Sequence, residues 1–221
     1  MYITGNSTEK VQRLVEAVRK ADSADALLKA VEELAAVKSP QAIPILIEVL
    51  GWNNPGAAVA AVDGLIAIGA PAVEPLLQNI DDYNYGARAW ALRVLAGIGD
   101  IRAKDLLISA ATTDFSQSVR RAATRGLGNL KWQQLPAEEK FNTQQEIFNT
   151  LLTTIGDGEW VVRYATVVAW ENFYLALKAD SGSLDLLAAI SEELKTVCAR
   201  DNEIAIQTRA KLALNRIQAG M

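Results

Sequence analysis

Three arginines, Arg88, Arg120 and Arg163, recur in one local setting, each a few residues after an aspartate and beside aromatic side chains: "DDYNYGARAW", "TDFSQSVRRA" and "GDGEWVVRYA". A guanidinium presents a planar fork of donors that matches a carboxylate, and tyrosine or tryptophan rings stack on flat conjugated molecules. Two chemistries are open to this pattern. The arginines can pair with aspartates of neighbouring turns, for which Asp82, Asp114 and Asp157 are placed, and so tie repeated units together. Alternatively they grip an anionic ligand, with Tyr83, Tyr85, Trp90, Trp160 and Tyr164 as stacking surfaces. Trp90 and Trp160 serve equally well as core filling. Tyr83 and Tyr85 alternate across a turn, so one of the two is expected to face a groove. Asp63 interrupts the apolar run "AAVAAVDGLIAIG", and an isolated carboxylate there calls for a packing partner or a cationic group to meet.

The residues that are missing narrow the chemistry further. The 221-residue chain contains no histidine, which removes the commonest general base and the commonest zinc ligand, together with every serine–histidine or cysteine–histidine pairing. The single cysteine, Cys198, lies in "ELKTVCAR" among apolar neighbours and reads as a buried, inert thiol in a protein of a reducing compartment. There is no metal-ligand spacing, so no metal is expected. "GIGD" ends a helix and does not follow a strand, so it is no phosphate loop. With 26 acidic and 22 basic residues the net charge is −4, and no basic tract is present. That balance argues against nucleic-acid binding, which rests on neutralising phosphates. No apolar run is long enough to span a bilayer, and "MYITGNSTEK" lacks the form of a secretory signal, so a cytoplasmic location is expected.

The elements that position these residues follow from an internal repeat. "AAVAAVDGLIAIGA", "ARAWALRVLAGIGD" and "VRRAATRGLGNLKW" superpose Leu65, Leu95 and Leu127, and likewise Ala61, Ala91 and Ala123. "VRYATVVAWENF" and "IQTRAKLALNRI" are later, weaker copies. Between the copies lie segments such as "SPQAIPILIEVL" and "APAVEPLLQNI", with apolar residues at helical spacing and a proline near the start. Gly51, Gly69, Gly99 and Gly156 stand where helices should stop. Strand signals are missing. The pattern predicts six helix pairs: about 8–20 with 23–37, 40–50 with 55–68, 71–80 with 85–98, 101–111 with 116–130, 143–155 with 158–175, and 183–199 with 202–218. One pair cannot bury its own apolar stripe, so neighbours must stack. The expected fold is all-α, a right-handed α-solenoid of HEAT type spanning 1–221 as one domain. The segments 131–142 and 177–185 break the rhythm and are expected as surface loops punctuated by Pro136 and Gly182.

"LGWNNPGAAVAAVDGL", "YNYGARAWALRVLAGIGD", "ATTDFSQSVRRAATRGLGNL" and "EWVVRYATVVAW" resemble, in order over about 40–175, the CpcE/CpcF family of bilin lyases, and within it the F-type subunits. The resemblance implies a heterodimer of this chain with an E-type subunit that binds phycocyanobilin, an open-chain tetrapyrrole. It further implies attachment of that pigment to a cysteine of the phycocyanin α subunit, through a thioether at the ring A ethylidene group. The pigment is substrate, and no cofactor is implied. Arg88, Arg120 or Arg163 would take its propionates, Tyr83, Tyr85, Trp90 and Trp160 would stack on its rings, and Asp63 or Asp114 would face its pyrrole N–H groups. This whole set, Tyr164 included, is expected to meet the pigment or a partner, Arg88 and one of its neighbouring tyrosines first among them. No residue is assigned acid–base chemistry. A related branch of lyase-isomerases carries a Cys/His motif, and the absence of histidine here favours plain attachment. The alternative within the same resemblance is a scaffold for assembly or turnover of phycobiliproteins that binds no pigment.

Overall fold

A computed structural model describes residues 4–81, 83–132, 135–180 and 183–219. Asp82 and Gly182 therefore lie outside the described residues. Every regular element among those described is helical, and the chain divides into two compact units, residues 1–98 and 99–221. The first holds α1 (Thr4–Lys20), α2 (Ala24–Ala36), α3 (Ile43–Leu50), α4 (Pro55–Ile68), α5 (Val73–Gln78) and α6 (Tyr85–Ile98). The second holds α7 (Lys104–Thr113), α8 (Gln117–Leu127), α9 (Ala137–Thr154), α10 (Trp160–Ala179), α11 (Leu184–Arg200) and α12 (Ile204–Ala219). These are the six helix pairs of the repeat. Within each unit the second helices of the pairs pack on one another, α2 on α4 on α6 in the first and α8 on α10 on α12 in the second.

Local chemistry explains the boundaries. Prolines 40 and 71 open short 3-10 turns ahead of α3 and α5, where a missing N–H costs nothing, and the Ser39 hydroxyl caps the first of them through the Gln41 N–H. The amide side chains of Asn54 and Asn84 accept the N–H groups of Ala57 and Ala87, capping α4 and α6. Gly99 ends α6 with φ +69, a left-handed conformation that suits glycine, and its carbonyl receives the Lys131 N–H at 2.8 Å.

Packing follows residue size. On α4, Ala57, Ala58, Ala61 and Leu65 are fully buried, because small side chains let the flanking helices approach. On α10 the core is larger: Trp170 and Phe173 are fully buried, and Trp132 tilts against the Phe173 ring at 5.5 Å. Glu171, also buried, is held by two arginines of α12, Arg209 at 2.6 Å and Arg216 at 3.1 Å. No single described helix is long and apolar enough to cross a membrane.

Two sequence expectations are corrected. The segment 131–142 is not one surface loop: Trp132 is buried, and α9 begins at Ala137, directly after Pro136. Its polar first turn hides a start signal, since Glu138 and Glu139 sit where the helix dipole favours negative charge. The break at 177–185 is likewise shorter, with α10 running to Ala179 and α11 starting at Leu184 under a Ser183 cap on the Leu186 N–H.

Gly128, which caps α8, sits so close to α10 that an added Cβ would overlap the Ala169 backbone. Gly128→Ala should therefore cost about 2–3 kcal/mol by overpacking. Gly158→Ala, whose Cβ would meet nothing, should stay within about 0.5 kcal/mol of wild type. Urea unfolding followed by circular dichroism measures both, and equal effects would remove close approach as the explanation.

Candidate functional site

The recurring arginines meet the recurring aspartates in a chain of clamps along the second unit. The Arg120 guanidinium donates through Nη1 to the carbonyls of Asp114 and Phe115, in its own turn. Through Nε and Nη2 it forks onto the Asp157 carboxylate of the next turn, at 2.7 and 3.0 Å. Arg163 repeats the arrangement: Nη1 to the Asp157 and Gly158 carbonyls, and a fork onto Asp201 at 3.0 and 3.2 Å. Each aspartate also closes its own turn, accepting the N–H two residues on: Ser116 for Asp114, Glu159 for Asp157 and Glu203 for Asp201. At the last turn Gln207 stands in the arginine's place and donates to the Asp201 carbonyl at 2.6 Å.

The electrostatics follow from this geometry. Burial alone would push the Asp157 and Asp201 carboxyls up, but the guanidinium on each, with the backbone N–H, holds both below the ordinary carboxylate value. The same hydrogen bonds raise Arg120 and Arg163. In the first unit Arg88 is buried and donates to the Asp81 carbonyl at 2.8 Å. The Asp81 carboxyl is lowered by the Asn84 and Tyr83 N–H groups that it accepts. The sequence singled out two of these partners, Asp114 and Asp157, but missed Asp81, Asp201 and Gln207. The spacing that places Arg120 six residues after Asp114 also places Gln207 six after Asp201 and could have found that pair, whereas Asp81 lies seven before Arg88 and falls outside it.

The aromatic candidates fall into two groups. In the first unit, Tyr83 and Tyr85 project from the turn entering α6 and are 97% and 53% exposed. Trp90, one turn beyond, is half-buried, and the Arg93 guanidinium lies over its ring, 4.4 Å from the centroid. Trp90 lines a cavity of about 330 Å³ with Trp52, Asn53, Asn54 and Asn84, between the first turns of α4 and α6. Asp63 is exposed on α4, not enclosed, at the edge of a second hollow of about 340 Å³ between α2 and α4 that Glu32 also borders. Arg93 occupies the repeat position of Asp63, two before the aligned leucines, and only the packing reveals its ring partner.

In the second unit, Trp160 and Tyr164 lie one turn apart on α10 and are both exposed, beside the clamped Arg163. Asp114 is half-buried in its turn. Cys198 is partly exposed on α11 rather than fully buried. Among the described residues no three carboxylate or thiol side chains converge on a site that could hold a metal ion.

The HEAT-repeat family matches residues 11–96 and 73–140 of this chain. It is 58% identical over 170 residues to a Synechocystis protein named phycocyanin alpha phycocyanobilin lyase CpcF, covering 76% of this chain and 79% of that protein. It is 51% identical over 209 residues to a phycobilisome maturation protein of Synechococcus elongatus, covering 94% of this chain and 98% of the relative. Among solved structures it is similar, with TM-score 0.72 and 45% identity, to a chain in the complex of CpcE and CpcF of phycocyanin lyase from Nostoc sp., over 79% of this chain and 99% of that one.

The clamps make a prediction of their own. Arg120→Ala leaves a largely buried Asp157 without its partner and should cost about 3 kcal/mol at neutral pH. Because the folded-state carboxyls are depressed, their contribution is fully present above the ordinary carboxylate pKa of about 4 and is lost as pH falls through the lower folded value. Asp157→Asn should therefore flatten the loss of stability as pH falls below about 4 relative to wild type. Denaturant melts across that window decide it; an unchanged slope would show that the pair is not what titrates.

Proposed function

Because this chain belongs to the HEAT-repeat family of CpcF-type phycocyanobilin lyase subunits, we propose that it is one subunit of a heterodimeric lyase. With an E-type partner it binds phycocyanobilin and joins it, through a thioether, to a cysteine of the phycocyanin α subunit. The observation that carries this reading is the 58% identity to the lyase subunit, maintained over 79% of that protein's length. The likeness to a chain solved inside a CpcE–CpcF complex supports the two-subunit form. The pigment is substrate, no further cofactor is invoked, and the setting is the cytoplasm.

The geometry refines which side chains would hold the pigment. Arg120 and Arg163 are already forked onto aspartates and Arg88 is buried, so they are poor grips for propionates. The better-placed group lies around α6: the exposed Tyr83 and Tyr85, the half-buried Trp90, and Arg93 over its ring beside the asparagine-lined cavity. Flat conjugated rings stack on such aromatics, and Arg93 is an exposed cation for a carboxylate. Asp63, exposed on the neighbouring α4, can meet pyrrole N–H groups. The reaction adds the acceptor's S–H across the ring A ethylidene double bond. With no histidine in the chain, its contribution is to position the two reactants, which lowers the entropic barrier.

A second reading, a maturation scaffold that handles phycobiliproteins without attaching pigment, is favoured by the 51% identical relative named for phycobilisome maturation. One experiment separates the two. This chain, an E-type subunit, phycocyanobilin and the apo α subunit are combined, and the acceptor is examined on a denaturing gel for bilin fluorescence. The lyase reading expects a band that requires both subunits and has the absorption of an unisomerised adduct. A band no stronger than spontaneous attachment favours the scaffold. In the active complex, Trp90→Ala and Arg93→Ala should each raise the KM for pigment about tenfold, the loss of one stacking or charge-assisted contact.

A further inference from the structure

The clamps of the second unit also build a surface. Arg120 binds the Asp114–Phe115 backbone with two bonds and Asp157 with two more, and Arg163 binds Asp157–Gly158 and Asp201 in the same manner. Three consecutive turns, those entering α8, α10 and α12, are thereby fastened side by side into one continuous rim. Neighbouring helices of a stack lie about 8–10 Å apart, which sets the spacing of the turns. Each turn carries one large apolar side chain held out to solvent: Phe115 at 74% exposure, Trp160 at 47% and Ile204 at 77%. The last two follow exposed carboxylates, Glu159 and Glu203. The aspartates between them are matched by arginines, and Glu159 and Glu203 set a carboxylate directly beside Trp160 and Ile204.

Loops of this length are ordinarily mobile, and an exposed apolar residue on a mobile loop carries little meaning. Here the backbone of each turn is bound to its neighbour by a charge-assisted fork, so the three side chains are presented at fixed separations. Three such groups supply on the order of 400 Å² of contact. A lasting complex needs roughly 800 Å² on each partner. The rim is therefore too small and too polar for a permanent subunit interface, and it fits an encounter that must form and dissolve each turnover. Its charge selects a partner whose apolar ridge is flanked by lysine or arginine.

We propose that this rim docks the protein acceptor of the lyase, with Phe115, Trp160 and Ile204 as anchors and Glu159 and Glu203 reading basic groups beside them. The proposal rests on the lyase reading, and it separates recognition of the acceptor from the pigment-holding residues of α6.

The test uses the complete heterodimer. Phe115→Ser with Ile204→Ser, and separately Glu159→Lys with Glu203→Lys, should each raise the KM for the apo acceptor subunit at least tenfold. The KM for phycocyanobilin, kcat at saturating acceptor, and heterodimer mass by light scattering should be unchanged. The wild-type acceptor KM should itself rise with salt. An unchanged acceptor KM in both variants overturns the proposal. So does loss of the heterodimer, which would give the rim to the partner subunit, and so does a raised pigment KM. Should the wild-type complex attach no pigment, the lyase reading fails on its own; immobilised acceptor then reads the rim directly, with tenfold weaker binding of both variants expected and equal binding overturning it.

Discussion

The stacking of the second unit depends on one interaction, a guanidinium that binds the backbone of its own turn and the carboxylate of the next. Either half alone would be a modest contact. A forked ion pair taken partly out of water gains little over its desolvation unless its remaining donors and acceptors are also used. Here they are: Arg120 meets two carbonyls as well as Asp157, and Asp157 accepts a backbone N–H while its own carbonyl receives Arg163. Asp157 therefore shapes a turn, closes one rung and starts the following one. At the Asp201 turn Gln207 supplies a neutral donor to the carbonyl, in the place that an arginine takes at the Asp114 and Asp157 turns.

That economy decides which cations can do other work. A guanidinium with its donors committed on two sides is a fixed part of the backbone framework, whatever its resemblance to a ligand grip in sequence. The positive charge facing solvent lies elsewhere in the repeat. Two residues before the aligned leucines stand Asp63, Arg93 and Arg125, all exposed, so one repeat position changes sign along the chain. The contact with the Trp90 ring limits the freedom of the Arg93 guanidinium.

The helix pairs were legible in the sequence because apolar periodicity and glycine or proline punctuation report burial directly, and both act within a few residues. The places where reading failed share a different cause. Trp132 looks like part of a polar break until the Phe173 ring, forty-one positions away, is found against it. Asp63 looks stranded in an apolar helix, yet it emerges on the exposed side of a helix whose other side is buried alanine. The dual reading of the arginines could be resolved only by knowing which aspartate lies within reach, a distance set by stacking rather than by sequence spacing. Arg93 over Trp90 is a local pair, i and i+3 on α6, and was missed because neither residue alone breaks the repeat.

The contribution proposed above for this histidine-free chain is geometric. The electrophile is conjugated, the nucleophile arrives on another protein, and the barrier that remains is largely that of bringing two atoms together in line. Positional precision of that kind comes from elements whose own freedom is already removed. The clamped turns meet this demand: the residues that project from them are held by backbone bonds to two carbonyls and a carboxylate, not by the packing of their own side chains. Such a rim can lose or exchange its exposed residues at small cost to stability, whereas the rungs beneath cannot. Separating the holding framework from the contacting surface lets recognition vary while the stack stays the same, and in this chain the division runs between Arg120 and Arg163 on one side and Phe115, Trp160 and Ile204 on the other.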